Sequence, residues 1–236
     1  MYLSKLVFIV TYLLFIGCGS DDNRRDTPEI QEAKSIDEAQ NNLKSLSALS
    51  TIEGSFSSIS SSANKMQKQG KTESYPCSKG GTVSSAFSED AMVTTMNFHQ
   101  CKEGERYIDG EMVLTYDDSR AYSKMLMKNM TLKDSDSTFS TKSFIVEDNE
   151  IEYWSIMNGD LAITSKCFTG NFNIKTLEKM YLLESSDYVE TGKILLNGAT
   201  YTFESPNVTI ELGSKSRTLS QDELEKEFND SSKCSE

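Results

Sequence analysis

Five cysteines and one histidine are the residues of this chain best suited to chemistry, and their spacing decides which chemistry is open to them. Cys77, Cys101, Cys167 and Cys234 stand far apart. A zinc site with close Cys-x-x-Cys pairs needs shorter spacing. His99 is the only histidine, so a Ser-His-Asp or Cys-His arrangement has one candidate base. It lies between Phe98 and Gln100, one residue further from a cysteine. That context favours a surface histidine at a strand end over a triad member, which must meet strict geometric demands. Nucleophile-elbow, phosphate-loop and dinucleotide signatures are missing from the sequence. Asp134-Ser-Asp136 and Asp148-Asn-Glu150 are loop acids that lack the glycine and terminal Glu of an EF-hand loop. A solvated loop is the better reading of both. No catalytic, cofactor or metal residue is assigned, and no cofactor is expected.

Cys18 has a different setting. Met1–Lys5 carries one basic side chain, Leu6–Ile16 is unbroken apolar, and small Gly17 precedes the cysteine. This is the layout of a secretory signal peptide. The run is shorter than the roughly 20 apolar residues that a spanning helix needs. Leu14-Phe15-Ile16-Gly17-Cys18 resembles the lipobox of bacterial lipoproteins, with Phe15 in place of the usual aliphatic residue. The resemblance implies cleavage before Cys18, a diacylglycerol thioether on its sulfur and, in many bacteria, a third acyl chain on its amine. Two or more chains anchor a protein stably. Gly19 in place of Asp favours the outer membrane, with the face left open, while Asp21-Asp22 resembles an acidic surface-export signal.

Removal of residues 1–17 leaves 219 residues (236 − 17), enough for one β-rich domain with helical additions. The net charge of −12 becomes −13 once Lys5 is lost. Such a chain has no electrostatic footprint for nucleic acid. Nor should it stick to anionic headgroups by charge alone. With Cys18 lipidated, the other four cysteines suggest two disulfides in an oxidising compartment, with three connectivities open. We favour Cys77–Cys101 and Cys167–Cys234.

The elements that must position these residues follow from periodicity. Residues 18–34 read as a polar tether. Ser35-Ile36-Asp37-Glu38 has capping-box spacing. Ile36, Ala39, Leu43, Leu46 and Leu49 then make an apolar stripe, continued by Ile52, Phe56, Ile59, Ala63 and Met66. The pattern predicts a helical segment over 35–67, with the helix from about 36 to 66 and a break near Gly54. The period then changes to two over a β domain at 76–219. Eight alternating runs, at 83–87, 92–98, 112–116, 151–153, 161–163, 172–174, 201–203 and 208–212, and two less clean ones, at 121–132 and 139–146, predict short strands. Asn158-Gly159 and Asn197-Gly198 read as hairpin turns. The three prolines, Pro28, Pro76 and Pro206, fall outside the strand interiors. Ser220-Gln221-Asp222-Glu223 repeats the capping-box spacing before a short helix in a disulfide-bonded tail, 220–236. The fold class is mainly β: an antiparallel meander sheet of about ten strands, curved or half-barrel, covered by the N-terminal helix.

Register supports one cysteine pair. If Phe87 faces Ala91 across a three-residue turn, paired numbers sum to 178, and Cys77 and Cys101 share that sum. A bulge at Gly80-Gly81 would shift this by a residue. Cys77-Ser-Lys-Gly80-Gly81-Thr82, Phe98-His-Gln-Cys101 and Gly110 ahead of a strand resemble a pattern in exported bacterial proteins without an established activity. The resemblance implies a sheet fold and no site.

Methionine is the compositional oddity. Met92, Met96, Met112, Met125, Met127 and Met130 fall on neighbouring predicted strands. Flexible thioethers suit irregular apolar surfaces, so an acyl-chain groove competes with a methionine core under the 36–66 helix, and the core is favoured. The leading expectation is a non-enzymatic envelope lipoprotein, structural or protein-binding. Its partners are the membrane, through the lipid, and another envelope protein. A lipid or lipoprotein carrier is the alternative, and an envelope hydrolase the third.

Overall fold

The computed structural model describes residues 30–46, 73–117, 122–135, 137–149, 152–165, 169–182 and 189–224. They form one open antiparallel sheet of twelve strands in sequence order, an N-terminal helix and a C-terminal helical turn at 221–224. The strands are β1 (Glu73–Pro76), β2 (Thr82–Ser88), β3 (Val93–Glu103), β4 (Arg106–Tyr116), β5 (Tyr122–Lys133) and β6 (Ser137–Asn149). They continue as β7 (Trp154–Ser165), β8 (Thr169–Leu182), β9 (Val189–Leu196), β10 (Ala199–Glu204), β11 (Asn207–Leu212) and β12 (Lys215–Ser220). The helix, α1, spans Ile36–Leu46.

The meander is as the period-two pattern requires, with two strands more than expected. β1, β9 and β12 carry no clean alternation of apolar side chains and go unread in the sequence. The run at 151–153 gives no strand: residues 152 and 153 form the turn into β7.

One face of the sheet is buried and the other faces water, as antiparallel sheets allow. Direct neighbours share a face, and they build continuous rows across the sheet. Ser85, Met96, Met112, Met127 and Phe144 are successive partners from β2 to β6. The row runs on through Gly159, Ile174, Leu196 and Ala199. The opposite face carries cross-strand charges: Glu111 with Lys128, and Lys124 with Glu147. Such exposed pairs add little stability, but they keep that face wet and fix the inside–outside sense of each strand.

Register shifts interrupt the ladders between β3 and β4, β4 and β5, β6 and β7, β7 and β8, and β8 and β9. Each bulge bends its strand and raises the local twist. A sheet of more than about ten strands rarely persists without curling, splitting or flattening, and bulges repeated from strand to strand favour curling here. Gly159 sits at such a place. Its φ is +135°, and a Cβ there would overlap the Ser143 carbonyl oxygen. Asn158-Gly159 is therefore not a hairpin turn. It lies inside β7, where the missing side chain lets the bulged β6 approach. Asn197-Gly198 is a true two-residue turn, joining Leu196 to Ala199 with both residues at positive φ.

α1 begins where the sequence places it. The Glu38 N–H donates to Ser35 Oγ at 3.1 Å. The Glu38 carboxylate reaches one residue further back than expected, accepting from the Lys34 N–H at 2.9 Å. Ile36 and Ala39 are buried and Leu43 packs against the core. The helix lies against β8, β9, β11 and β12. Tyr201 explains this placement, because its buried hydroxyl donates to the Ala39 carbonyl at 2.6 Å. Arg217 from β12 binds Gln40 at 2.8 Å and Asp37 at 2.7 Å. The described helix therefore covers the C-terminal strands rather than the methionines of β3–β5. The expected continuation through 47–67, the tether before residue 30 and the tail after residue 224 lie outside the described residues.

Turns fall alternately at the two ends of the sheet. One end carries loop 77–81 and the turns at 104–105, 197–198 and 213–214. The other carries the turns at 89–92 and 205–206 and the helical turn after Ser220. The expected capping box closes that turn: the Glu223 N–H donates to Ser220 Oγ, and the Ser220 N–H donates to the Glu223 carboxylate.

Candidate functional site

The residues singled out by the sequence fall into two places, a disulfide corner beside β1–β3 and the methionine row on the buried face. Cys77 and Cys101 form a disulfide with Cα atoms 5.5 Å apart, within the usual range for a bridge. The route to this pair differs from the expected one. Phe87 pairs with Thr94 and Thr82 with His99, so paired numbers sum to 181 rather than 178. The β2–β3 turn takes four residues, Glu89–Met92, and closes with the Met92 N–H donating to the Glu89 carbonyl at 3.2 Å. Cys77 is not on an extension of β2. It opens the loop joining β1 to β2, since Pro76 already pairs with Thr82.

Two local devices then bring the sulfurs together. Gln100 has φ +48° and marks the bulge between Phe98 and Cys101. The extra residue turns Cys101 onto the buried face, where it is 1% exposed. Opposite it, loop 77–81 folds onto β3 through Lys79 N–H to the Lys102 carbonyl and Lys102 N–H to the Gly80 carbonyl, at 2.9 and 2.8 Å. Gly81 has φ +80°, and a Cβ there would overlap the Gln100 carbonyl. The Gly80-Gly81 pair of the sequence is thus what lets the loop lie flat on the bulge. The Gln100 N–H donates to Asp109 Oδ1, and the Ser78 N–H donates to Glu103 Oε1.

The two sulfurs and a Glu103 carboxylate oxygen lie within 4.8 Å of one another. Both sulfurs are used in the disulfide, so the grouping acts as a clamp. His99 is exposed on β3, with its side chain away from the buried face. Asp134 accepts from the Ser137 N–H at 2.7 Å, and Asn149 accepts from the Glu152 N–H at 2.8 Å. These loop side chains close turns. Asp136, Glu150, Cys18, Cys167 and Cys234 lie outside the described residues.

The methionines occupy the buried face. Met96, Met112, Met127 and Met130 are 0–1% exposed, while Met92 and Met125 are partly buried against the core. A second row beside the first runs Phe87, Thr94, Leu114, Met125, Val146 and Met157. Tyr116 closes this part of the face, its ring edge-on to Phe87 with centroids 6.3 Å apart. Burial holds its hydroxyl above the usual pKa, partly offset by the Thr94 side chain. Tyr201 is raised as well, by burial.

Sequence reasoning missed Asn197. Its side chain imitates a strand backbone, accepting from the Asn173 N–H at 2.8 Å and donating to the Asn171 carbonyl at 2.9 Å. It thereby ends the β8–β9 ladder and leaves Thr169–Asn173 beyond it. The Asn-Gly dipeptide is the available signal, and it marks the turn without the ladder-ending role of the side chain. No helix among the described residues is long and apolar enough to cross a membrane. In comparison with known proteins, the chain matches no family model, no curated protein and no solved structure.

Proposed function

We propose that this chain is an exported, lipid-anchored envelope protein that works by binding rather than catalysis, with another envelope protein as its partner. The observation that carries the reading is the Cys77–Cys101 disulfide, closed by a purpose-built loop and bulge. Disulfides persist in oxidising compartments and are rare in the cytosol. Together with the cysteine that follows an apolar run and Gly17, this supports cleavage before Cys18 and lipidation there, and Gly19 in place of Asp favours the outer membrane. A Cys18→Ser variant should be released from membranes on cell fractionation. A variant that stays membrane-bound would sink the proposal.

A second reading, a carrier for acyl chains, draws on the methionine rows and requires them to open, since Met96, Met112, Met127 and Met130 are buried. Adaptable thioethers side by side on one face are what a promiscuous apolar site uses. Native mass spectrometry of protein purified without detergent should then show retained lipid, and a lipid-free spectrum would dismiss the carrier.

A further inference from the structure

The two ends of the sheet differ in charge. At the end away from turn 197–198, Glu89, Asp90, Asp117, Glu152, Glu204 and Glu223 are all exposed, with Lys179 among them. At the other end Lys34, Lys79, Lys102, Lys133 and Lys215 are exposed, with Arg106 beside them, interleaved with Glu32, Glu103, Glu105, Asp134 and, in the overhanging strands, Asp109 and Asp160. Among the described residues, one end is thus acidic and the other carries charges of both signs that nearly cancel.

The eleven residues of β3 separate the ends by about 35 Å at roughly 3.3 Å per residue. The Debye length is about 8 Å at physiological salt, so a charged surface meets one end at a time. An anionic lipid surface repels the acidic end and leaves the end of mixed charge as the one that can approach it.

The N-terminal chain arrives on the lysine side. The Ala33 N–H donates to the Asn197 carbonyl at 2.8 Å, and Gly198 lies against Glu32. The β3–β8 hairpins overhang this turn by the five residues Thr169–Asn173, about 17 Å. Ile30 lies twelve steps along the chain from Cys18 (30 − 18), a stretch that can span up to about 40 Å. That reach clears the overhang.

We propose that the domain stands on an anionic phospholipid surface with loop 77–81 and the Gly104–Glu105 turn toward the lipid and the acidic end away. The proposal rests on the lipid anchor at Cys18. To test it, the full lipidated chain is bound to vesicles of phosphatidylglycerol and phosphatidylcholine that carry a headgroup-attached quencher. A fluorescent non-natural residue is placed at position 105 or at position 90, in turns at opposite ends of β3. Most emission should be lost at 105 and little at 90, and the difference should shrink on pure phosphatidylcholine vesicles. Equal quenching, or stronger quenching at 90, in protein that floats with the vesicles overturns the orientation. A difference undiminished on neutral vesicles overturns its electrostatic cause. Protein that fails to float defeats the lipid anchor itself, a result that flotation alone distinguishes from the others.

Discussion

The open sheet has two edges, and the molecule secures them by different means. At the first edge, β1 is four residues long and its side chains are alternately exposed and half-buried. It brings little apolar area to the core. A covalent bridge and a loop folded flat on β3 hold the neighbouring strands instead. At the last edge, β12 is also mostly exposed, yet no disulfide joins it to its neighbours among the described residues. There α1 spans β8, β9, β11 and β12, with Tyr201 and Arg217 as its fastenings. One edge is thus held by a bond that depends on redox state, and the other by packing that depends on a helix and on the protonation of a buried tyrosine. An edge strand exposes unpaired backbone groups, so a meander this long must restrain both ends of its order.

A substitution between the two regions should cost most, because it strikes the curl that both share. Gly159→Ala combines positive φ with backbone overlap against Ser143 and should cost about 3–4 kcal/mol in urea unfolding. An effect under about 1 kcal/mol would mean that the β6–β7 bulge is soft. Next comes the first edge. Joint replacement of Cys77 and Cys101 by serine should cost about 3 kcal/mol, the loop-closure entropy for a separation of 24 residues. Reductant should lower the stability of the wild type by about that much more than it lowers the stability of the double variant.

The last edge should respond to pH instead. Burial raises the folded pKa of Tyr201 above the usual value of about 10. With the folded value raised, its contribution is intact below about pH 10 and is lost as pH climbs from there through the folded value. Tyr201→Phe should cost about 1 kcal/mol at neutral pH, through the lost hydrogen bond to Ala39, and should flatten the alkaline loss of stability. An unchanged alkaline slope would assign that loss to Tyr116 or to other groups. Arg217→Gln should have the smallest effect, under about 0.5 kcal/mol, because its partner Asp37 is well exposed. A larger loss would make the Gln40 contact the true fastening of α1.

Legibility in the sequence followed the same division. Strands whose inward residues are large and apolar without a bulge between them, such as Tyr201 and Phe203 in β10 or Val208 and Ile210 in β11, declare themselves by period two. β1 and β12 do not, because edge strands bury little and need no apolar alternation. The cysteine pair was legible, but the register behind it was not. A three-residue turn and a straight extension of β2 gave the right partners for the wrong reason. Turn length, the bulge at Gln100 and the fold of loop 77–81 are each worth a residue or more of register, and none leaves a periodic trace.

The sequence by itself determined the mainly-β meander, the capped start of α1 and the Asn197-Gly198 turn. Each rests on local chemistry: alternation, a side chain that reaches a nearby N–H, or φ freedom at glycine. Only the tertiary structure decided that Asn158-Gly159 lies inside a strand, that α1 settles on β8–β12 rather than over the methionines, and that charge divides between the ends of the sheet. Those outcomes depend on which strands lie opposite one another, and pairing between distant residues is set by the packing of the whole sheet.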